Sequence, residues 1–147
     1  MALDTAAPLA RLVAVLQGLS GLQTVYVGVP ESIGPQIAAY VALAGQSMPN
    51  ETIDIAQREA RYFCAFAYAV AGAEATAETT IAGLIDAFQV ALLAERDSGM
   101  NSGSGPIVDS LGWDFSLGDR PDYQPIAGQE FRVWPCLVTV TQHASYG

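Results

Sequence analysis

Residues 51–97 read ETIDIAQREARYFCAFAYAVAGAEATAETTIAGLIDAFQVALLAERD, and two periodicities meet in this stretch. Ile53–Ala71 alternates at period two, as a strand does. Gly72–Thr76 supplies a turn, and Ala77–Asp97 then repeats its apolar residues at helical spacing. The strand is long. Arg58–Ala71 alone would span ~45 Å at about 3.3 Å per residue, whereas a domain of this chain length is roughly 40 Å across. Such a strand must bend, bulge or project, and a projecting hairpin in a small domain suggests assembly rather than chemistry. One of its faces carries Arg58, Ala60, Tyr62, Cys64, Phe66, Tyr68 and Val70. The other carries Glu59, Arg61, Phe63, Ala65, Ala67 and Ala69. A helix can lie closely on alanine, so the second face is expected to meet the helices.

Working outward, Asp4 or Thr5 can cap a first helix, Thr5–Gln17, with Pro8 in its opening turn and Leu9, Leu12, Val13 and Leu16 on one stripe. Thr24–Val29 and Gln36–Ala44 read as strands separated by a proline-rich turn. Gly45–Asn50 reads as a polar connection. The second helix, Ala77–Asp97, places Ala77, Ile81, Leu84, Ile85, Phe88 and Leu92 on one side. Ser98–Ala127 is rich in Gly, Ser, Asp and Pro and reads as a long loop, functional by its length. Its Trp113, Phe115 and Tyr123 could bury against a partner. Gln129–Gln142 closes the chain as a strand, and Pro135 within it predicts an edge position or a bulge. The expected fold is α+β. It is a single domain over residues 1–147, with a mixed, largely antiparallel sheet of about four strands. Two helices pack on one face, and a long β-hairpin and a long loop complete it.

The chain carries six Arg, no Lys and 15 acids, for a net charge of −9, which disfavours a phosphate-binding surface. Charged residues are only 14% of the 147, low for a lone subunit, and favour burial against partners. No signal peptide or membrane span is read. Cys64 and Cys136 are expected as buried free thiols, and two Cys with a single His cannot build the usual zinc site. The glycines at Gly99–Gly105 follow a helix and lack a Lys, so they form no phosphate cradle. Asp97–Val108 lacks the acids of a calcium loop. Asp119 and Asp122, flanking Arg120 and Pro121, read as a solvated turn. His143 lies in the terminal tail and has no serine-nucleophile element to serve. No catalytic, cofactor-binding or metal-binding residue is assigned, and the chain is read as a non-enzyme without cofactor. The residues assigned to protein interfaces are Arg58, Arg61, Arg132, Trp113, Phe115, Arg120 and Tyr123. The arginines are expected to fork onto a neighbour's carboxylates.

The order of elements, together with Val27-Gly28-Val29-Pro30-Glu31-Ser32, Gln57-Arg58-Glu59-Ala60-Arg61-Tyr62-Phe63, the Ala71–Leu93 strand-to-helix segment and Tyr123–Arg132, resembles the tail terminator proteins of long-tailed bacteriophages. The resemblance covers nearly the whole chain and is structural rather than catalytic. It implies a structural virion protein assembled in the host cytoplasm. Such a protein forms a homohexameric ring on the head-proximal end of the tail tube, ends tube polymerisation and offers a surface to the head-tail connector or neck proteins. DNA would pass through the ring without specific binding, and an acidic channel wall is expected. A head-closure or tail-completion adaptor of the neck is the nearest alternative. A small α+β ligand-binding or hydrolytic domain is the alternative of another class.

Overall fold

The computed structural model describes residues 6–22, 24–30, 37–51, 55–69, 74–95, 110–114, 122–126 and 129–145. Among these residues, two helices, α1 (Ala6–Gln17) and α2 (Glu74–Ala94), accompany six strands. The strands are β1 (Thr24–Val27), β2 (Ala38–Glu51), β3 (Ile55–Ala69), β4 (Ser110–Asp114), β5 (Asp122–Ile126) and β6 (Gln129–Ser145). The sheet runs β1-β2-β3-β6-β4, with β5 also pairing β6. Only β1–β2 is parallel, and the other ladders are antiparallel. The α+β class and mixed sheet are as expected, but the sheet is five strands wide.

The additional strands come from the stretch read as one loop. Ser110–Asp114 pairs with Leu137–Thr141 of β6, and Asp122–Ile126 pairs with Gln129–Val133. Both lie on the outer side of β6, one after the other, and among the described residues no strand pairs there with the β6 residues between them. Pro135 sits in that gap. The expectation of an edge strand or bulge at Pro135 is therefore corrected. β6 is internal and in unbroken register with β3, and the proline that cannot donate falls where the outer ladder is interrupted.

The long strand is accommodated by its neighbours. β3 pairs with β6 without a break from Ile55↔Ser145 to Ala69↔Phe131. β2 reaches Glu51, so residues 45–50 are strand rather than connection. It follows β3 with two register shifts, at Leu43/Gly45 and Ser47/Asn50. Each shift adds local twist, which bends a ladder that would otherwise outrun the domain.

The helices cover the opposite face from the one expected. Ala60, Tyr62, Cys64, Phe66 and Tyr68 of β3 form one core with Leu12 and Leu16 of α1 and Ile81, Leu84, Phe88 and Leu92 of α2. The bulky side wins because each large side chain removes far more apolar surface from water than an alanine does, at about 25 cal/mol per Å². Phe88 meets Phe66 edge to face at 6.0 Å between ring centroids, a favoured geometry. The alanines serve the far face, where small residues of β3 leave room for large ones on the flanking strands. Ala65 lies beside Tyr40, and Ala67 beside Val133. With Ala38 and Phe131 these form a second buried cluster.

Cys64 and Cys136 are directly opposed across β3 and β6, free and buried. Burial pushes the Cys136 thiol from 9.0 up to about 12 and Cys64 well above its ordinary value. Both are inert thiols under neutral conditions.

Two outcomes follow from this packing. Phe88→Ala should cost about 3–5 kcal/mol, read as a lower urea midpoint. Val90→Ala, on the exposed side of the same helix, should stay within ~0.5 kcal/mol. An unchanged midpoint for Phe88→Ala would contradict the packing. The thiols give the second outcome. Their folded pKa values are raised, so the unfolded chain loses its protons first as pH rises. Their contribution to stability is full below pH 9.0 and falls as pH climbs toward about 12. A Cys64→Ala/Cys136→Ala double variant should lack that part of the alkaline slope in denaturation curves. An identical slope would refute it.

Candidate assembly surfaces

The arginines assigned to interfaces are mostly occupied within the chain. Arg132 on β6 forms an ion pair with Glu78 in the first turns of α2. Glu78 also accepts hydrogen bonds from the Tyr68 hydroxyl at 2.8 Å and from the Trp134 indole N–H at 3.0 Å. The Arg132 guanidinium lies 5.8 Å from the Trp134 ring centroid, within cation–π range. One carboxylate thus ties α2 to β3 and β6. At the other end of α2, Glu95 is buried and takes a two-pronged contact from Arg11 of α1, at 2.6 and 2.8 Å. The fork geometry suits guanidinium to carboxylate and clasps the two helices together.

Arg58 lies on the helix-covered face and donates to the Gln142 side chain at 2.8 Å, across the β3–β6 ladder. Arg61 lies on the helix-free face. It donates to the Ser47 hydroxyl at 3.4 Å. It also runs over Gly45, where an added Cβ would come within 3.4 Å of a guanidinium nitrogen. The register shift at Gly45 and the missing side chain there hold this guanidinium across β2. Among the described residues, Arg61 has no carboxylate at ion-pair distance.

The aromatic candidates divide similarly. Trp113 on β4 is half-buried against the helix-side core, so it belongs to this subunit's packing. Tyr123 stands on β5, in register with Arg132. Phe115 and Arg120 fall outside the described residues, as does most of the stretch expected to order on a partner.

The surfaces that sequence reasoning missed are apolar. On the helix-free face, Ala38, Tyr40 and Ala42 of β2, Phe63, Ala65, Ala67 and Ala69 of β3, and Phe131, Val133, Pro135 and Leu137 of β6 share one side by register. Of these, Ala38, Tyr40, Ala65, Ala67, Phe131 and Val133 are buried in the subunit with Tyr26 packed against them, Ala42, Ala69, Pro135 and Leu137 are half-buried, and Phe63 is exposed, while Arg61 and Glu59 continue the same face. Phe63 is 39% exposed, unusual for a strand aromatic at the centre of a sheet. The second apolar surface is the outer face of α2. Thr79, Gly83, Asp86, Ala87, Val90 and Ala94 are all exposed and follow one helical stripe. Val90 is 68% exposed, and Asp86 is the single charge on the stripe. A smaller exposed group, Val27, Val29 and Leu43, lies at the β1 side. There Gly28 turns the chain at φ 78° and donates to the Val41 carbonyl at 2.6 Å. The pairing of one face with an inward period is what a sequence reveals. Exposure of the opposite stripe becomes visible only once the fold decides which stripe is inward.

By length and composition α2 is apolar enough to cross a membrane. Its inward stripe packs on the sheet and Glu78 is bonded to three strand residues, so its outer face is the surface of a folded subunit. No protein-family model matches the chain, and no match to a curated protein is found.

The Glu78 cluster has a direct readout. Glu78→Ala should destabilise the chain by about 1.5–3 kcal/mol, the range for hydrogen bonds to a charged group, because it strips Tyr68, Trp134 and Arg132 of a shared acceptor. Glu78→Gln should recover part of the loss by accepting from Tyr68 or Trp134. Urea midpoints equal for all three proteins would show that the cluster contributes nothing.

Proposed function

We propose that this chain is a structural subunit of a phage tail, forming a ring that caps the head-proximal end of the tail tube and ends tube growth. The observation that carries the reading is the outer stripe of α2 around Val90, apolar and exposed, together with Phe63 exposed on the opposite side of the sheet. An apolar patch left to solvent marks a surface built to be covered. The resemblance of the strand-to-helix segment and of residues 27–32, 57–63 and 123–132 to tail terminators supplies the identity of the assembly. The low share of charged residues agrees with it. Hexameric stoichiometry, contact with tube and neck proteins, residence in the virion and the absence of catalysis belong to the same proposal.

Surfaces on opposite sides of a subunit join heterologously, and a heterologous contact closes into a ring when its rotation allows. The test is the mass of the purified protein alone and with polymerising tail tube subunits. A ring of defined mass, and tubes that stop growing when the protein is added, are the expected results. A stable monomer that leaves tube growth unchanged would overturn the proposal.

A further inference from the structure

We propose that Cys64 and Cys136 form a redox latch, a reversible cross-strand disulfide that staples β3 to β6 when oxidised. The latch stands apart from the ring proposal, because it needs only the two thiols and the ladder between them. They are the two cysteines of the 147 residues. The register sets one directly opposite the other, and both join the helix-side core. Opposed residues of an antiparallel pair have Cα atoms about 4.5–5.5 Å apart, inside the about 4.4–6.8 Å that a disulfide bridges. Burial raises the Cys64 pKa and the charge of Cys136 raises it further, so each sulfur lies within the field of the other. The surroundings favour a disulfide over a bound cation. Both side chains are fully buried among apolar neighbours, where a neutral disulfide brings no charge and a pair of thiolates does. Among the described residues, no group of three or more Cys, His, Asp or Glu side chains is placed to hold a metal ion.

The route to closure lies on the outer side of β6. Cys136 falls between Val133 and Leu137, where among the described residues no strand pairs with that side of β6. The neighbouring β4 has five residues and stands at the sheet edge, and short edge elements open locally more readily than a central ladder. While the ladder is closed, burial keeps both thiols protonated and unreactive. Once β4 lifts, a disulfide-class oxidant such as oxidised glutathione reaches Cys136. The Cys136 thiol gives up its proton, its sulfur attacks the oxidant's S–S bond, and one glutathione thiolate leaves and takes up a proton. The Cys64 thiol then gives up its proton and attacks the Cys136 sulfur of the mixed disulfide, releasing the second glutathione in the same way. Two protein thiols are thereby oxidised to one disulfide, and one glutathione disulfide is reduced to two thiols. Cβ atoms of opposed residues lie about 4.5–5.5 Å apart, against about 3.5–4.5 Å in a disulfide. Closure therefore draws the strands inward and leaves a bond that a thiol reductant reopens. It also ties off a loop of about 70 residues, which constrains the unfolded chain.

The test is incubation of the folded full chain with oxidised glutathione, followed by thiol titration in urea and by intact mass. Both thiols should disappear and the mass should fall by two hydrogen atoms, with no glutathione retained. Peptide mapping should join Cys64 to Cys136 of the same chain, and dithiothreitol should restore both thiols. The oxidised chain should unfold at a higher urea midpoint than the reduced one. Cys64→Ala should instead hold glutathione on Cys136, and take it up faster than Cys136→Ala takes it up on Cys64. The unaltered chain carries the decisive reading should either variant fail to fold. Thiols that stay free in the folded chain over a time that oxidises the urea-unfolded chain would overturn the latch. So would stable glutathione adducts on both cysteines, or disulfides formed only between chains. A midpoint no higher after oxidation would remove the staple, and faster uptake on Cys64 would remove entry at Cys136.

Discussion

The unbroken β3–β6 ladder is the constraint on which everything else depends. Fifteen consecutive residues of β3 pair in a single register with β6, and a slip of one position would exchange the two faces of both strands. That register fixes which side chains stand above the sheet and which below. It brings Cys64 opposite Cys136, Trp134 and Arg132 within reach of Glu78, and Phe63 beside Leu137. Among the described ladders, the irregular pairing lies on the flanks. β2 takes up the twist through two register shifts, and the outer side of β6 is shared by two short strands with a proline at the gap between them.

Both faces of this sheet are apolar, but they are used differently. The large side chains of β3 form the site for α1 and α2, and the ion pairs at the two ends of α2 fix its position. One joins it to the strands through Glu78 and the other joins it to α1 through Glu95. These contacts orient α2 so that a nearly uncharged stripe faces outward. The alanine side of β3 lets Tyr40, Val133 and Phe131 fold over it and leaves Phe63 at the surface. The exposed residues are thus consequences of the core and its register, and Arg61, with no carboxylate at ion-pair distance among the described residues, stands beside Phe63.

Much of the fold is legible in the sequence because its longest elements have clean periods. The inward residues of α2, Ile81, Leu84, Phe88 and Leu92, are those predicted by helical spacing, and β3 alternates as read. β4 and β5 escape the same reasoning because five residues containing Gly or Pro and Asp carry too little pattern, and their strand character comes from pairing with β6. The choice of face was misjudged from the sequence, since alanine is compatible with close helix contact and also with room for a neighbouring ring. The candidate arginines were visible as residue types, but their partners lie far away in the chain. Nothing local in the sequence marks Glu78 for Arg132 or Gln142 for Arg58. The Asp86 stripe shows the same limit, because an exposed apolar helix face is recognisable only after the opposite face has been placed.

The central claim is that the exposed apolar residues of the subunit, Phe63 on the sheet among them, are covered by another protein surface. Hydroxyl-radical footprinting of the full chain over a concentration series tests it most directly, with the oxidation rate of Phe63 as the reading. Phe63 is 39% exposed in the single subunit, so it should react readily in dilute solution and become strongly protected as subunits associate. A Phe63 oxidation rate that stays the same from dilute monomer to assembled ring would contradict the account.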